Sequence, residues 1–414
     1  AMIEGLRRSA TREAAREALA EQGPTVVASL AATLLDESAP PTIRRHIPSV
    51  LARVPDTRAV EVMLHSVVAS ETDQLLDFRT LKALSKLRAR APALDFEPDK
   101  VLASIRREVT AAGRYELARR CLDRVGATGR CAALLRKSLQ EAWGERQEGV
   151  FRLLGLLYSP EEMYRCYLAI HSGQRSTRAN ALEWLEETVD RALFEELAPV
   201  LGELRGPPET PSPNESIRPL LHDGDPWIAR AAIAAAGELD QPWSRAALRG
   251  IIETTDREEI RALARRMLQP EDQRGGESMD LIEQVFLLQK IDLLQDARSA
   301  HLALLASIAE EIDVEPGTVL IRQEEPTSAM YVVIDGAVAL EGVADQQLEA
   351  CEGQAFGTWA LIDEAPSLVT AVVKEPSRLL RITRSDFYDL LADHSELALG
   401  LLQGLARRVR TLVA

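Results

Sequence analysis

Aromatic side chains make up only 4% of this chain, against 46% hydrophobic residues overall. With so few Phe, Tyr and Trp, its cores must be built from Ala, Leu, Val and Ile, which favours closely packed helices. Positive charge is also short: 49 Lys and Arg stand against 64 Asp and Glu, a formal charge of −15. No global basic field is present to hold a nucleic acid. The local clusters Arg44-Arg45 and Arg407-Arg408 with Arg410 read as solvated helix faces. There are four cysteines, Cys121, Cys131, Cys166 and Cys351, and no C-x-x-C, so reduced cytosolic thiols are expected rather than disulfides. The histidines are scattered without H-E-x-x-H or a close pair, so no metal site and no His-based catalysis are expected. No apolar run reaches the ~20 residues of a membrane helix, and no signal peptide is visible. G-x-S-x-G and P-loop motifs are missing. Acidic pairs at Glu161-Glu162, Glu186-Glu187, Glu195-Glu196 and Glu258-Glu259 fall at helix starts or on polar faces. The expectation is a non-catalytic, cytoplasmic protein with no cofactor.

At 414 residues the chain has room for two to three domains. From Ile3 to about Met267 its apolar residues keep a helical period. Helices are predicted at 4–22, 25–36, 42–54, 57–69, 73–91, 98–112, 114–125, 128–143, 148–158, 160–172, 176–188 and 191–204. Pro, Gly or Asp punctuates each pair: Asp56 and Ser159 stand as caps, Pro160 opens a first turn, and Gly113 reads as a stop. The breaks recur every ~35–45 residues, the range of two-helix solenoid repeats. GPPETPSPN at 206–214 is a Pro-rich loop, read as lying between repeats.

After that loop, Asp225-Pro226-Trp227-Ile228-Ala229-Arg230 starts an alanine-rich helix with Gly237 and Leu239 near its end. This spelling resembles the first helix of a HEAT repeat. The resemblance implies that Asp225 caps the helix, that Arg230 reaches a neighbouring repeat, and that the small residues permit close packing. Residues 178–182 and those from Asp56 onward echo it more weakly.

Residues 269–278 form a polar Pro/Gly break, and beyond Glu310 the period switches from helical to two. Strands are predicted at 311–314, 318–322, 329–334, 337–340, 368–373 and 379–382, with Asp335-Gly336 as a two-residue hairpin turn. Helices are predicted before them, at 279–289 and 297–309, and after them, at 385–392 and 396–412. The fold class is therefore multidomain: an all-α, HEAT-like solenoid over 1–268, a linker over 269–278, and an α+β β-barrel or jelly roll with flanking helices over 279–414.

The stretch Gly353 to Val373 has the outline of an anion-binding cassette. Phe356-Gly357 leads into a short apolar turn, Trp359 to Ile362, then a Pro-containing loop and a β-branched run. Together with Pro316-Gly317, Met330-Tyr331, Asp335-Gly336 and Asp386-Phe387, it resembles the cyclic-nucleotide-binding domain family. In that family the cassette reads Phe-Gly-Glu, an apolar turn with Ala-Leu, Pro-Arg, then Ala-Thr or Ala-Ser; the Glu meets the ribose and the Arg the cyclic phosphate. Carried onto this chain, the cassette residues are Phe356, Gly357, Thr358, Trp359, Ala360, Leu361, Ser367 and Thr370. Thr358 stands at the Glu position and Ser367 at the Arg position. Two hydrogen bonds to charged groups, each worth roughly 1.5–3 kcal/mol, are weakened or lost, about two to four decades in affinity. Asp363 and Glu364 add negative charge. Trp359 has two readings, stacking on a planar ligand or filling space that a ligand has left. Arg322 and Arg378 are read as surface strand-end residues rather than replacement cations.

The expected function is a regulatory or protein-interaction module: a helical scaffold for a protein partner, joined to a degenerate nucleotide-binding fold that does not bind cyclic nucleotide. The same order of domains is similar to the soluble tail of ATP/ADP-translocase-like transporters, which implies a membrane-protein parent chain; Ala1 before Met2 fits an excised segment. The alternative is a sensor in which a cyclic nucleotide or other small molecule enters the barrel and moves the last helix. A catabolite-activator-like transcription factor would need a helix-turn-helix that these residues do not spell. The stripe Leu401, Leu402, Leu405, Val409 and Leu412 would serve a dimer or pack on the helical solenoid.

Overall fold

The computed structural model describes residues 2–69, 73–202, 212–269, 279–295, 297–342, 348–363 and 365–413. The chain divides into two compact units, Ala1–Leu268 and Gln269–Ala414. Most of the Pro-rich loop (206–211), the predicted linker beyond Gln269, and Glu364 lie outside the described residues.

The first unit is built of helices, several of them started by side-chain caps. Asp73 accepts from the Leu76 amide at 3.0 Å, Asp190 from Ala192 at 2.9 Å, and Asp225 from Trp227 at 2.7 Å. Each such cap contributes about 1 kcal/mol. Two predicted helices are split by proline. The 42–54 segment forms Pro41–Arg44 and Ile47–Leu51, because Pro48 has no N–H to bond the Arg44 carbonyl four residues back. By the same logic Pro199 divides the 191–204 segment into Arg191–Glu196 and Ala198–Leu201.

Glycine behaves in the opposite way. The helix Pro98–Arg124 runs straight through Gly113, and Arg130–Leu157 joins two predicted helices through Gly144 and Gly149. A helical glycine costs only about 1 kcal/mol, less than the burial that these long helices gain. At Gly149 the missing side chain leaves room for a neighbour: a Cβ there would lie 3.1 Å from Leu81 Cδ1 of the helix Gln74–Arg90, closer than ordinary contact.

Buried charge joins these three helices. Arg146 donates to both oxygens of Glu108 at 2.9 and 2.8 Å, and Arg107 donates to Asp77 at 2.5 Å. Burial pushes the Asp77 carboxyl up to about 7 against the opposing pull of Arg107. The alanine-rich helix Pro226–Leu239 is buried from Ala231 through Gly237. Its Glu238 accepts from the amides of Cys131 and Ala132 at 3.0 and 2.8 Å, capping the Arg130–Leu157 helix from outside it. No helix among the described residues is long and apolar enough to cross a membrane.

The second unit opens with helices Leu281–Gln289 and Ser299–Ser307, then eight strands. These are β1 (Glu310–Val314), β2 (Val319–Ile321), β3 (Ala329–Asp335), β4 (Val338–Glu341), β5 (Leu348–Ala350), β6 (Ala355–Phe356), β7 (Thr370–Val373) and β8 (Ser377–Thr383). Two antiparallel sheets, ordered β1-β8-β3-β6 and β2-β7-β4-β5, face each other in a jelly roll. Val333, Val338, Ala371, Val373 and Leu379 fill the space between them. Helices Arg384–Asp393 and Ser395–Val413 follow.

One predicted turn is corrected here. Asp335-Gly336 is not a hairpin, because β3 and β4 belong to different sheets. It is a corner where the chain crosses from one sheet to the other. Gly336 takes φ +90°, and a Cβ on it would lie 2.8 Å from Ser377 Cα. The Ala337 amide then donates to Ser377 Oγ at 3.2 Å. Strands β5 and β6 went unpredicted, being too short to show alternation.

Candidate functional site

The cassette is held by its first residues. Phe356 ends β6 opposite Tyr331 of β3, and the two buried rings stack at 5.3 Å with 16° between their planes. Gly357 turns the chain at φ +69°; a Cβ there would lie 2.8 Å from the Ala329 carbonyl, so both conformation and space require glycine. A single 3-10 turn, Thr358–Leu361, follows, one residue earlier than predicted. Ala360 donates to the Gly357 carbonyl at 3.0 Å and Ile362 to that of Trp359 at 2.9 Å.

Ala360 and Leu361 are buried, Thr358 is half-buried, and Trp359 is 63% exposed. The exposure of Trp359 overturns the space-filling reading: its ring lies in solvent rather than in the cassette.

The loop beyond the turn is sewn to the segment after β2. Pro366 bridges Pro326, Ser367 donates its amide to Glu325 at 2.9 Å, and Glu324, at φ +64°, donates to the Ser367 carbonyl at 2.8 Å. The Ser367 hydroxyl donates to the Val369 carbonyl at 2.8 Å and accepts from its amide at 3.2 Å. Thr370 Oγ1 accepts from the Gln323 amide at 3.1 Å. Both hydroxyls are therefore bonded to backbone, Ser367 within the loop itself and Thr370 to the segment after β2.

One cation does reach the cassette, and the sequence reading missed it. Arg384, at the start of the helix Arg384–Asp393, donates to the carbonyl oxygens of Ala360 and Asp363, and to that of Thr327 at 2.7 Å. Nothing in its local sequence marks it, because its partners are backbone oxygens brought together only by the fold. Arg322 is exposed, and Arg378 lies in β8 opposite Asp313 and Asp335. Burial raises the Tyr331 phenol above its ordinary value, with Arg381 opposing. Among the described residues no group of His, Cys, Asp or Glu is placed to hold a metal ion.

The cassette has a second face. Leu361 and Ile362 line an apolar cavity of about 220 Å³ together with Met330, Phe387, Leu401 and Leu405. The predicted stripe on the last helix thus turns Leu401, Leu402 and Leu405 into this cavity, while the side chains of Val409 and Leu412 lie outside the described residues.

Comparison with known proteins fits this geometry. Residues 311–394 match the family model described as Cyclic nucleotide-binding domain. The chain is 28% identical over 127 residues to human Rap guanine nucleotide exchange factor 3, covering 30% of this chain and 14% of that protein. It is 24% identical over 129 residues to a CRP-like cAMP-activated global transcriptional regulator of Mycobacterium tuberculosis, covering 30% and 58%. The chain thus spans less than two thirds of the length of these curated relatives, from 14% to 58%. A solved cyclic nucleotide-binding-like protein from Brucella abortus is 26% identical, with 26% of this chain and 97% of that one covered and a TM-score of 0.25. The second unit of this chain therefore carries, over residues 311–394, a cyclic nucleotide-binding domain.

Proposed function

We propose that this chain is a non-catalytic regulatory or interaction module whose cassette is degenerate and does not take cyclic nucleotide. The observation that carries this reading is Ser367. It stands where the family resemblance puts the phosphate-pairing Arg, and its hydroxyl is bonded to the Val369 backbone. Thr358 replaces the ribose-reading Glu, and the nearby guanidinium, Arg384, is bonded to backbone carbonyls. A phosphate placed here would lose its water without gaining a paired cation.

The helical unit is then the partner-binding scaffold, and we read it as HEAT-like. Three observations support this: the Asp225 cap, the Arg230–Glu259 ion pair between helices, and Gly237, whose Cβ would lie 2.5 Å from Met267 Cβ. A protein partner on this unit, and a membrane-protein parent, are the contexts that the sequence resemblance supplies. The test is calorimetric titration of the whole chain with cyclic AMP and cyclic GMP. No saturable heat is expected at low micromolar ligand, and a saturable isotherm there overturns the reading.

The second reading, a cyclic-nucleotide sensor, is favoured by the family match and by the cAMP in the names of several relatives. The same titration separates the two.

A further inference from the structure

We infer that the second unit carries a binding site for a small, uncharged, chiefly aliphatic molecule on the outer face of the cassette, apart from the interior of the jelly roll. Strand β3 sets the two sides apart. Tyr331 and Val333 point into the sandwich, whereas Met330, offset by one residue, points out and lines the cavity. The remaining walls come from Leu293 and Leu294, the Ser299–Ser307 helix, the end of the cassette, the Arg384–Asp393 helix and the last helix. An occupant therefore touches both the 3-10 turn and the helix that follows the domain.

The chemistry of the walls selects the ligand. Among the described residues no Lys, Arg, Asp or Glu lines the cavity, and Tyr388 is the sole lining side chain with a polar N or O atom. A charged ligand would be desolvated with nothing to offset the cost, and such walls hold water poorly. Leu, Ile, Met and Ala outnumber the two aromatic residues, Phe387 and Tyr388. At about 220 Å³ the space exceeds the ~150 Å³ of an apolar cavity that admits benzene.

The cavity has a firm floor and an open mouth. Met330 and Leu305 are each 1% exposed, whereas Ile362 is 40% and Leu402 62% exposed. At the mouth Tyr388 Oη donates to the Ile362 carbonyl over a long 3.4 Å, a bond that a single ligand hydroxyl would replace. A medium-chain aliphatic alcohol meets all of these conditions.

The test uses the whole chain, the neutral fluorophore N-phenyl-1-naphthylamine as probe and 1-decanol as competitor, at several protein concentrations. Ala398→Trp fills the cavity, and Leu402→Glu sets a carboxylate at its mouth on an already exposed position where folding is not at risk. The expected result is saturation at one probe per chain, displacement by 1-decanol, and affinity weakened about tenfold or more in both variants. The inference is overturned if binding does not saturate, or if Leu402→Glu binds like the parent chain. It is also overturned if affinity falls as the chain self-associates, since a second copy is then the occupant. None of these outcomes depends on cyclic nucleotide, so this site stands or falls apart from the regulatory reading.

Discussion

Arg384 donates from Nε to the carbonyl oxygen of Ala360, tying the first residue of the Arg384–Asp393 helix to the end of the cassette. The same guanidinium holds Asp363 and Thr327. Three carbonyls that would otherwise need water or a ligand share one fixed charge. Arg384→Gln should lower the stability of the second unit by about 2–4 kcal/mol, given the usual strength of hydrogen bonds to charged groups. Denaturant unfolding and amide exchange over residues 358–363 check this; an unchanged midpoint with unchanged exchange would count against the role.

Installing Glu and Arg at the two cassette positions tests the proposed degeneracy directly. Thr358→Glu with Ser367→Arg should bring cyclic AMP affinity up by about two decades or more over the parent chain. Some stability should be lost, since position 367 then no longer braces Val369. Calorimetry on the double variant reads the gain. If affinity stays flat while the variant remains folded, the two residues are not what the cassette lacks.

Gly336 offers a test of the corner between the sheets. Its φ of +90° and the 2.8 Å approach of Ser377 Cα leave no place for a methyl group. Gly336→Ala should destabilise the second unit by about 2 kcal/mol or more, from strain and forced movement of β8 together. A thermal melt within a degree of the parent would refute it.

In the helical unit, His46 sets a pH dependence. It is 4% exposed, and its Nδ1 accepts from Arg16 Nη2 at 2.9 Å. Burial, with Arg12, Arg79, Arg16 and Arg45 around it, drives its pKa down to about 3. The folded value lies below the unfolded one of about 6.5, so the unfolded chain takes up the proton first. The stability held above pH 6.5 therefore falls as pH drops towards 3. His46→Gln keeps an acceptor for Arg16 and should flatten that part of the stability–pH curve. An unchanged slope in urea melts between pH 6.5 and 4 would show that His46 does not supply it.

Features fixed by neighbours along the chain were legible from sequence. Asp225 caps its helix and Pro-rich breaks end theirs, because a cap or a missing N–H acts within four residues. Strands β3, β7 and β8 were found by their alternation, and the cassette by Phe356-Gly357. Features fixed across the fold were not legible. Gly113 and the break after Trp143 look like stops, yet burial on long helices outweighs the low propensity of Gly113 and Gly144. The two-sheet corner at Asp335-Gly336 depends on which sheet each strand joins, which no local spelling states. Arg384 grips backbone oxygens, which carry no sequence signature. Trp359 is apolar by type, but its backbone position turns it to solvent.

Ser367 has a consequence for how this chain can change over generations. Its hydroxyl closes a small ring of hydrogen bonds with Val369, so the fold favours serine there whether or not any ligand visits. A substitution that put a cation at this position would give up those bonds at once. Selection for stability alone thus favours serine at 367, and any other residue there must recover those bonds elsewhere.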